Sequence, residues 1–96
     1  MEVYNDRFIA YSLGNFCTPY NVSLTGISGY APVVEININA DGSFIDGKIH
    51  SFLQTRGIGP REDATGSVAR EIRNLSNTDI PQSQATIDAQ GYITLK

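Results

Sequence analysis

The clearest periodicity in the chain is Val33-Val34-Glu35-Ile36-Asn37-Ile38-Asn39, where apolar and polar residues alternate strictly. A period of two puts Val34, Ile36 and Ile38 on one face of a strand and Glu35, Asn37 and Asn39 on the other. Ala40-Asp41-Gly42 then turns the chain back, since Asp-Gly between two such runs is a strong hairpin signal. The return arm reads as one long strand from Ser43 to Thr55, with Ile45, Ile49 and Leu53 on one side and Gly47 marking a bulge. Two further hairpins flank this one. Val3-Tyr4 and Phe8 to Leu13 enclose Asn5-Asp6-Arg7, and Asn and Asp both tolerate the left-handed backbone of a tight turn. Phe8 to Leu13 is apolar on both faces, which predicts a strand covered from both sides until Gly14-Asn15 breaks it. Near the end, Ala85 to Asp88 and Tyr92 to Leu95 enclose Ala89-Gln90-Gly91.

The period changes once. Between Asp63 and Ser76, Val68, Ile72 and Leu75 recur at helical spacing with Ala69 beside them, so this stretch is the one predicted helix. Asp63, Thr65 or Ser67 is placed to cap its start. Arg70 and Arg73 face away and suit the C-terminal half of its dipole. Residues 17–32 carry no period and contain two Pro and two Gly, which marks an irregular connection long enough to attract a functional reading. Its Tyr20 and Tyr30 are packing or rim aromatics, the alternative being rings turned toward a ligand. The expected fold class is therefore α+β, mainly antiparallel sheet built from hairpins, with one amphipathic helix packed on it. Residues 1–96 form a single small domain.

Composition narrows the function classes. Seven Lys and Arg against ten Asp and Glu give a net charge of −3, which argues against a nucleic-acid partner, because phosphate contacts need an excess of cations. Cys17 is the single cysteine, so no internal disulfide or thiolate metal cluster can form. No apolar run reaches the about 20 residues of a membrane span. The chain enters its first strand almost at once, and this abrupt start is read as that of a fragment or of a domain cut from something longer.

Candidate chemistry is sparse. His50 is the single histidine, whereas a zinc or two-metal site needs three or more converging ligands. His50 is expected to be a solvent-facing or hydrogen-bonded strand residue. Ser12, Ser23, Ser28 and Ser51 lie in no nucleophile-elbow context. No catalytic residue and no metal ligand is assigned. Arg56-Gly57-Ile58-Gly59-Pro60-Arg61 is a possible anion loop, with Arg56, Gly57, Gly59 and Arg61 as its binding groups and a helix start just beyond; the alternative is plain turn chemistry.

One stretch resembles a known family. Glu2-Val3-Tyr4, Phe8-Ile9-Ala10 and Tyr11-Ser12-Leu13-Gly14-Asn15-Phe16 look like the late segment of the bacterial capsule-synthesis family. This is the poly-γ-glutamate synthesis protein A family, within the calcineurin-like metallophosphatase superfamily. Gly29-Tyr30-Ala31-Pro32 before a strand, the Asp41-Gly42 hairpin and Ile49-His50-Ser51-Phe52 extend the likeness over most of the chain. The resemblance implies a metal-dependent, phosphoesterase-like parent of the cell envelope, using divalent metal ions in capsule or poly-γ-glutamate assembly. The family's metal ligands sit in upstream Asp, Asn and His motifs, and none of these is present in residues 1–96. What carries over is position alone: Ser12, Gly14 and Asn15 would line the rim of the parent active site. The expectation is a C-terminal segment without its own metal or cofactor, itself non-catalytic, whose partner is the rest of a metallophosphatase-like domain or a second copy of the chain. Its setting is the cell envelope by resemblance, or alternatively the cytoplasm. The rival expectation is an independent binding or association module for an anionic polymer or a protein, using the 17–32 and 54–62 loops.

Overall fold

The structure, a computed structural model, describes residues 1–13, 29–55 and 59–96. Strands β1 (Glu2–Tyr4) and β2 (Arg7–Ile9) form the first hairpin, closed by Asn5 and Asp6, both with positive φ. A two-residue turn with both φ values positive matches the twist of the strands it joins. Strands β3 (Val33–Ile38) and β4 (Phe44–His50) form the second hairpin. Strands β5 (Phe52–Thr55) and β6 (Gly59–Glu62) make a separate two-stranded sheet. Helix α1 spans Ser67–Asp79, and β7 (Ala85–Ile87) and β8 (Tyr92–Leu95) close the chain. The central sheet has the order β3-β4-β8-β7, antiparallel throughout. The α+β expectation, mainly antiparallel hairpins with one helix packed on them, holds for the described residues. No helix among the described residues is long and apolar enough to cross a membrane.

The core lies between the sheet and α1. Val3, Phe44, Ile49, Ala69 and Ile93 are buried together, with Phe8, Val34, Ile36, Ile72, Ala85 and Ile87 packed against them. The first hairpin is tied in by the main chain: Phe44 donates its amide to Asp6 O (2.7 Å), and Gln84 donates to Val3 O (3.0 Å). Phe8 stacks on Phe44 with ring centroids 6.0 Å apart.

Several boundaries differ from the sequence expectation. The strand expected over Phe8 to Leu13 ends at Ile9, and it is not covered from both sides. Phe8 and Ile9 are half-buried, while Tyr11 is 65% and Leu13 52% exposed. The long strand over 43–55 breaks at Ser51 into β4 and β5, which join different sheets. The bulge lies opposite Asn37 and Ile38, where Ile45 is the extra residue, and not at Gly47. That extra residue resets the alternation, so Phe44, Gly47 and Ile49 point in while Ile45 is exposed. Gly47 answers a close approach instead: a Cβ there would lie 2.7 Å from Glu35 O and 2.8 Å from Ile36 Cδ1.

The helix starts four residues later than expected and runs three further. Val68, Ala69 and Ser76 are buried and Ile72 half-buried, which leaves Leu75 exposed at the margin of the packed stripe. Because α1 starts at Ser67, Arg70 belongs to its first turn. Its guanidinium reaches back to Thr65 O and Ser67 Oγ, so it does not serve the C-terminal end of the dipole.

Candidate functional site

Two concave regions contain the residues that sequence reasoning singled out. The first is an apolar groove of about 230 Å³ between the segment after β2 and α1, lined by Tyr11, Ser12, Ile72, Leu75 and Ile80 among others. Ser12, a rim residue by resemblance, is exposed on it. Gly14 and Asn15, the other rim residues, lie outside the described residues. Tyr11 turns its hydroxyl to the carboxylate of Glu2, a largely buried side chain. That hydrogen bond, aided by desolvation and the neighbouring charge, holds the phenol above its ordinary value. The motif thus contributes an anchored tyrosine ring to this surface, with Leu13 exposed just beyond it.

The second region is a polar cleft of about 530 Å³ at the N-terminal end of α1, where Lys48, His50, Glu62, Asp63 and Arg70 meet. His50 Nε2 lies 3.0 Å from Glu35 Oε1, a diagonal pair across β3 and β4, so the expected hydrogen-bonded strand histidine is what the fold contains. Lys48 Nζ sits 4.7 Å from the centroid of the Tyr92 ring. Asn37 Nδ2 donates to Asp46 Oδ1 at 2.6 Å. These side chains pair across neighbouring strands on a solvated sheet face, with both signs of charge interspersed.

The structure describes only part of the possible anion loop. Arg56 and Gly57 lie outside the described residues. Gly59 and Arg61 sit on strand β6, paired with Thr55 and Leu53, so this part of the expected loop is the second arm of a hairpin. The helix start beyond it is already served by the protein's own groups. Asp63 Oδ2 accepts from the Ser67 amide (3.1 Å), and Ser51 Oγ accepts from the Ala69 amide (3.0 Å). A carboxylate fixed at a helix N-terminus satisfies the donors and the dipole that an anion would otherwise use. Of the long 17–32 connection, residues 17–28, including Tyr20, lie outside the described residues; Tyr30 is half-buried and bridges Leu53.

Among the described residues there is no group of three or more His, Cys, Asp or Glu able to hold a metal ion. The divalent ions implied by the resemblance therefore find no donor set in the described part of this chain, and no catalytic step is derived through them. Sequence reasoning missed Ser51, which caps a helix 18 residues away from another element. Nothing local marks such a role, because the cap is created only when the β4–β5 break meets α1. No family model, no curated protein and no solved structure matches the chain.

Asp63 was legible as a cap, and its geometry makes a measurable prediction. Its carboxylate accepts from the Thr65 hydroxyl (2.6 Å), the Thr65 amide (3.1 Å) and the Ser67 amide. The Thr65 hydroxyl is the foremost cause of its lowered pKa, followed among the favourable contacts by the two amides and the Arg70 charge, with burial opposing. A carboxyl with a folded pKa below its unfolded value stabilises above the unfolded pKa and loses that contribution as pH falls through the folded one. Asp63→Ala should cost about 1 kcal/mol at pH 7, as other helix caps do. The difference from wild type should shrink below pH 4. Asp63→Asn should keep most of the stability and lose that share of the pH dependence. Urea unfolding at pH 7 and pH 3 measures both, and an Asp63→Ala penalty equal at the two pH values would refute the capping role.

Proposed function

We propose that this chain is the C-terminal segment of a capsule-synthesis-type, metallophosphatase-like protein, and that it acts by docking onto the remainder of that domain without catalysis of its own. The observation that supports this reading is the placement of the Tyr11-Ser12-Leu13 stretch. Within the segment that resembles the family, the strand leaves the sheet at Ile9, Tyr11 is set out on the surface beside Ile72, Leu75 and Ile80, and Leu13 two residues on is 52% exposed. Apolar residues grouped on one exposed surface favour a covering partner, since each large side chain buried contributes about 1.5–3 kcal/mol. The parent's role would be capsule or poly-γ-glutamate assembly at the cell envelope, with the metal chemistry carried by the upstream motifs.

The test is reconstitution from two pieces. The metallophosphatase domain of a capsule-synthesis family protein, truncated before its own Tyr-Ser-Leu-Gly-Asn-Phe strand, is titrated with this chain by calorimetry. Binding is expected, and Leu13→Asp should weaken it by about tenfold or more, the cost of placing a charge in an apolar contact. The chain alone should release no phosphate from p-nitrophenyl phosphate in the presence of manganese. Absence of binding at about 100 µM, an affinity limit near −5.5 kcal/mol, or chelator-sensitive turnover by the chain alone, overturns the reading.

A further inference from the structure

The two edges of the central sheet are built differently. Strand β7 has three residues, and the chain just before it is engaged by the first hairpin through Ser83 Oγ and the Gln84 amide. Strand β3 has six residues, and among the described residues its one strand neighbour is β4. Natural edge strands are usually blunted by Lys, Pro, shortness or an inward charge. Val33 to Ile38 carries none of these; its one charge, Glu35, stands on the solvated face with His50.

The hydrogen-bonding polarity of that edge follows from its neighbours. Ile49 donates its amide to Gly91 O on the β8 side (2.7 Å), so on β4 it is Asp46, Lys48 and His50 that face β3. Their register partners Asn37, Glu35 and Val33 face inward, and Asn39 likewise donates to Ser43 O (2.8 Å). The backbone groups of Val34, Ile36 and Ile38 are therefore the ones that face outward.

We propose that β3 pairs antiparallel with β3 of a second copy of this chain, about a two-fold axis through Ile36. In that register Ile36 lies opposite Ile36, and Val34 lies opposite Ile38, so all three outward-facing residues on each copy meet outward-facing residues on the other. On the apolar face, half-buried Val34 and Ile36 and the 57% exposed Ile38 cover one another across the axis. On the polar face Glu35 stands opposite Asn37. A register centred on Glu35 would instead oppose two carboxylates, which is unfavourable in directly facing cross-strand pairs. The strand's own pattern thus selects a second copy as the occupant and selects one register for it. An isologous contact of this kind closes as a dimer with an eight-stranded continuous sheet.

The test is sedimentation equilibrium of the 96-residue chain from about 10 µM to 1 mM, the range of weak to moderate pairing. A species of twice 10.5 kDa is expected to accumulate with concentration. Ile38→Lys places the usual edge-blocking residue at an already exposed position, and should weaken dimerisation by about tenfold or more. Its thermal midpoint at low concentration should stay at the wild-type value, which separates lost pairing from lost folding. Asn37→Lys should tighten the dimer by about threefold at low salt by facing Glu35 of the second copy, and the gain should vanish at high salt. A clean monomer at 1 mM overturns the proposal. So does a dimer that survives Ile38→Lys, and one that Leu13→Asp dissolves, because that dimer runs through the Tyr11 to Leu13 surface. An Asn37→Lys change that does not tighten the dimer overturns the register.

Discussion

Gly91→Ala is expected to lower the thermal midpoint by roughly 10–25 °C, taking about 3 kcal/mol of cost and about 4–8 °C per kcal/mol for a domain of this size. Two effects add. Gly91 has φ +94, a backbone region that residues with a Cβ enter only under strain. In addition, its Cβ would stand 2.4 Å from Ile49 O and 3.1 Å from Ala69 Cβ. The first of these is a main-chain atom of the central strand β4, and Gly91 O itself accepts the Ile49 amide at 2.7 Å. The turn cannot retreat without giving up the bond that joins β8 to β4 or pushing α1 off the sheet. Gly59 provides the control. Its φ is +92, but among the described residues nothing lies within 4 Å of where its Cβ would be. Gly59→Ala should therefore cost only the conformational part, about 1 kcal/mol. Circular dichroism melts of the two variants separate backbone strain from collision, and equal shifts would show that the β8–α1 approach is looser than this.

How much of this was legible beforehand depends on what each residue answers to. Three of the four β-hairpins were readable because their signals are local: Asn5-Asp6, Asp41-Gly42 and Asp88 to Gly91 carry their own turn chemistry. The helix was readable from Val68, Ala69 and Ile72, although its start was placed too early because Asp63 and Thr65 look like first-turn residues, whereas Asp63 accepts the Ser67 amide from outside the helix and Thr65 in turn bonds Asp63. What could not be read was set by tertiary contact. The bulge at Ile45 reverses which isoleucine of β4 points inward, and only the pairing with Asn37 and Ile38 decides that. The break at Ser51 lets one continuous apolar pattern feed two sheets. The glycine of closest approach, Gly91, looks in the sequence like any other turn residue. For the candidate site the legible part was His50 as a paired strand residue. The groove beside α1 depends on Tyr11 leaving the sheet, whereas the apolar character of Phe8 to Leu13 had argued that this stretch would be covered.

Ile93→Ala and Ile45→Ala put that corrected alternation to a quantitative test. Ile93 is 1% exposed at the centre of β8, opposite Gly47 on β4 and Ile87 on β7, inside the cluster shared with Val3, Phe44, Ile49 and Ala69. Because Gly47 has no side chain, the Ile93 side chain fills space that β4 leaves open, and its Cδ1 lies 3.5 Å from where a Gly47 Cβ would be. Ile36, whose Cδ1 also reaches over Gly47, can close only part of the void, so a cavity term is added to the lost burial. Large-to-small changes at such sites cost about 2–5 kcal/mol, and the upper half of that range is expected here. Against a total stability of about 5–15 kcal/mol, this removes a large share and should lower the urea midpoint by about 2 M. Ile45, by contrast, is 45% exposed as the bulge residue, and its truncation should cost no more than about 0.5–1 kcal/mol. Had the uninterrupted strand over 43–55 been right, Ile45 would stand beside Ile49 in the core and the two substitutions would cost alike. Paired urea titrations with unchanged m-values decide between these arrangements, and comparable losses for Ile45→Ala and Ile93→Ala would restore the simple alternation.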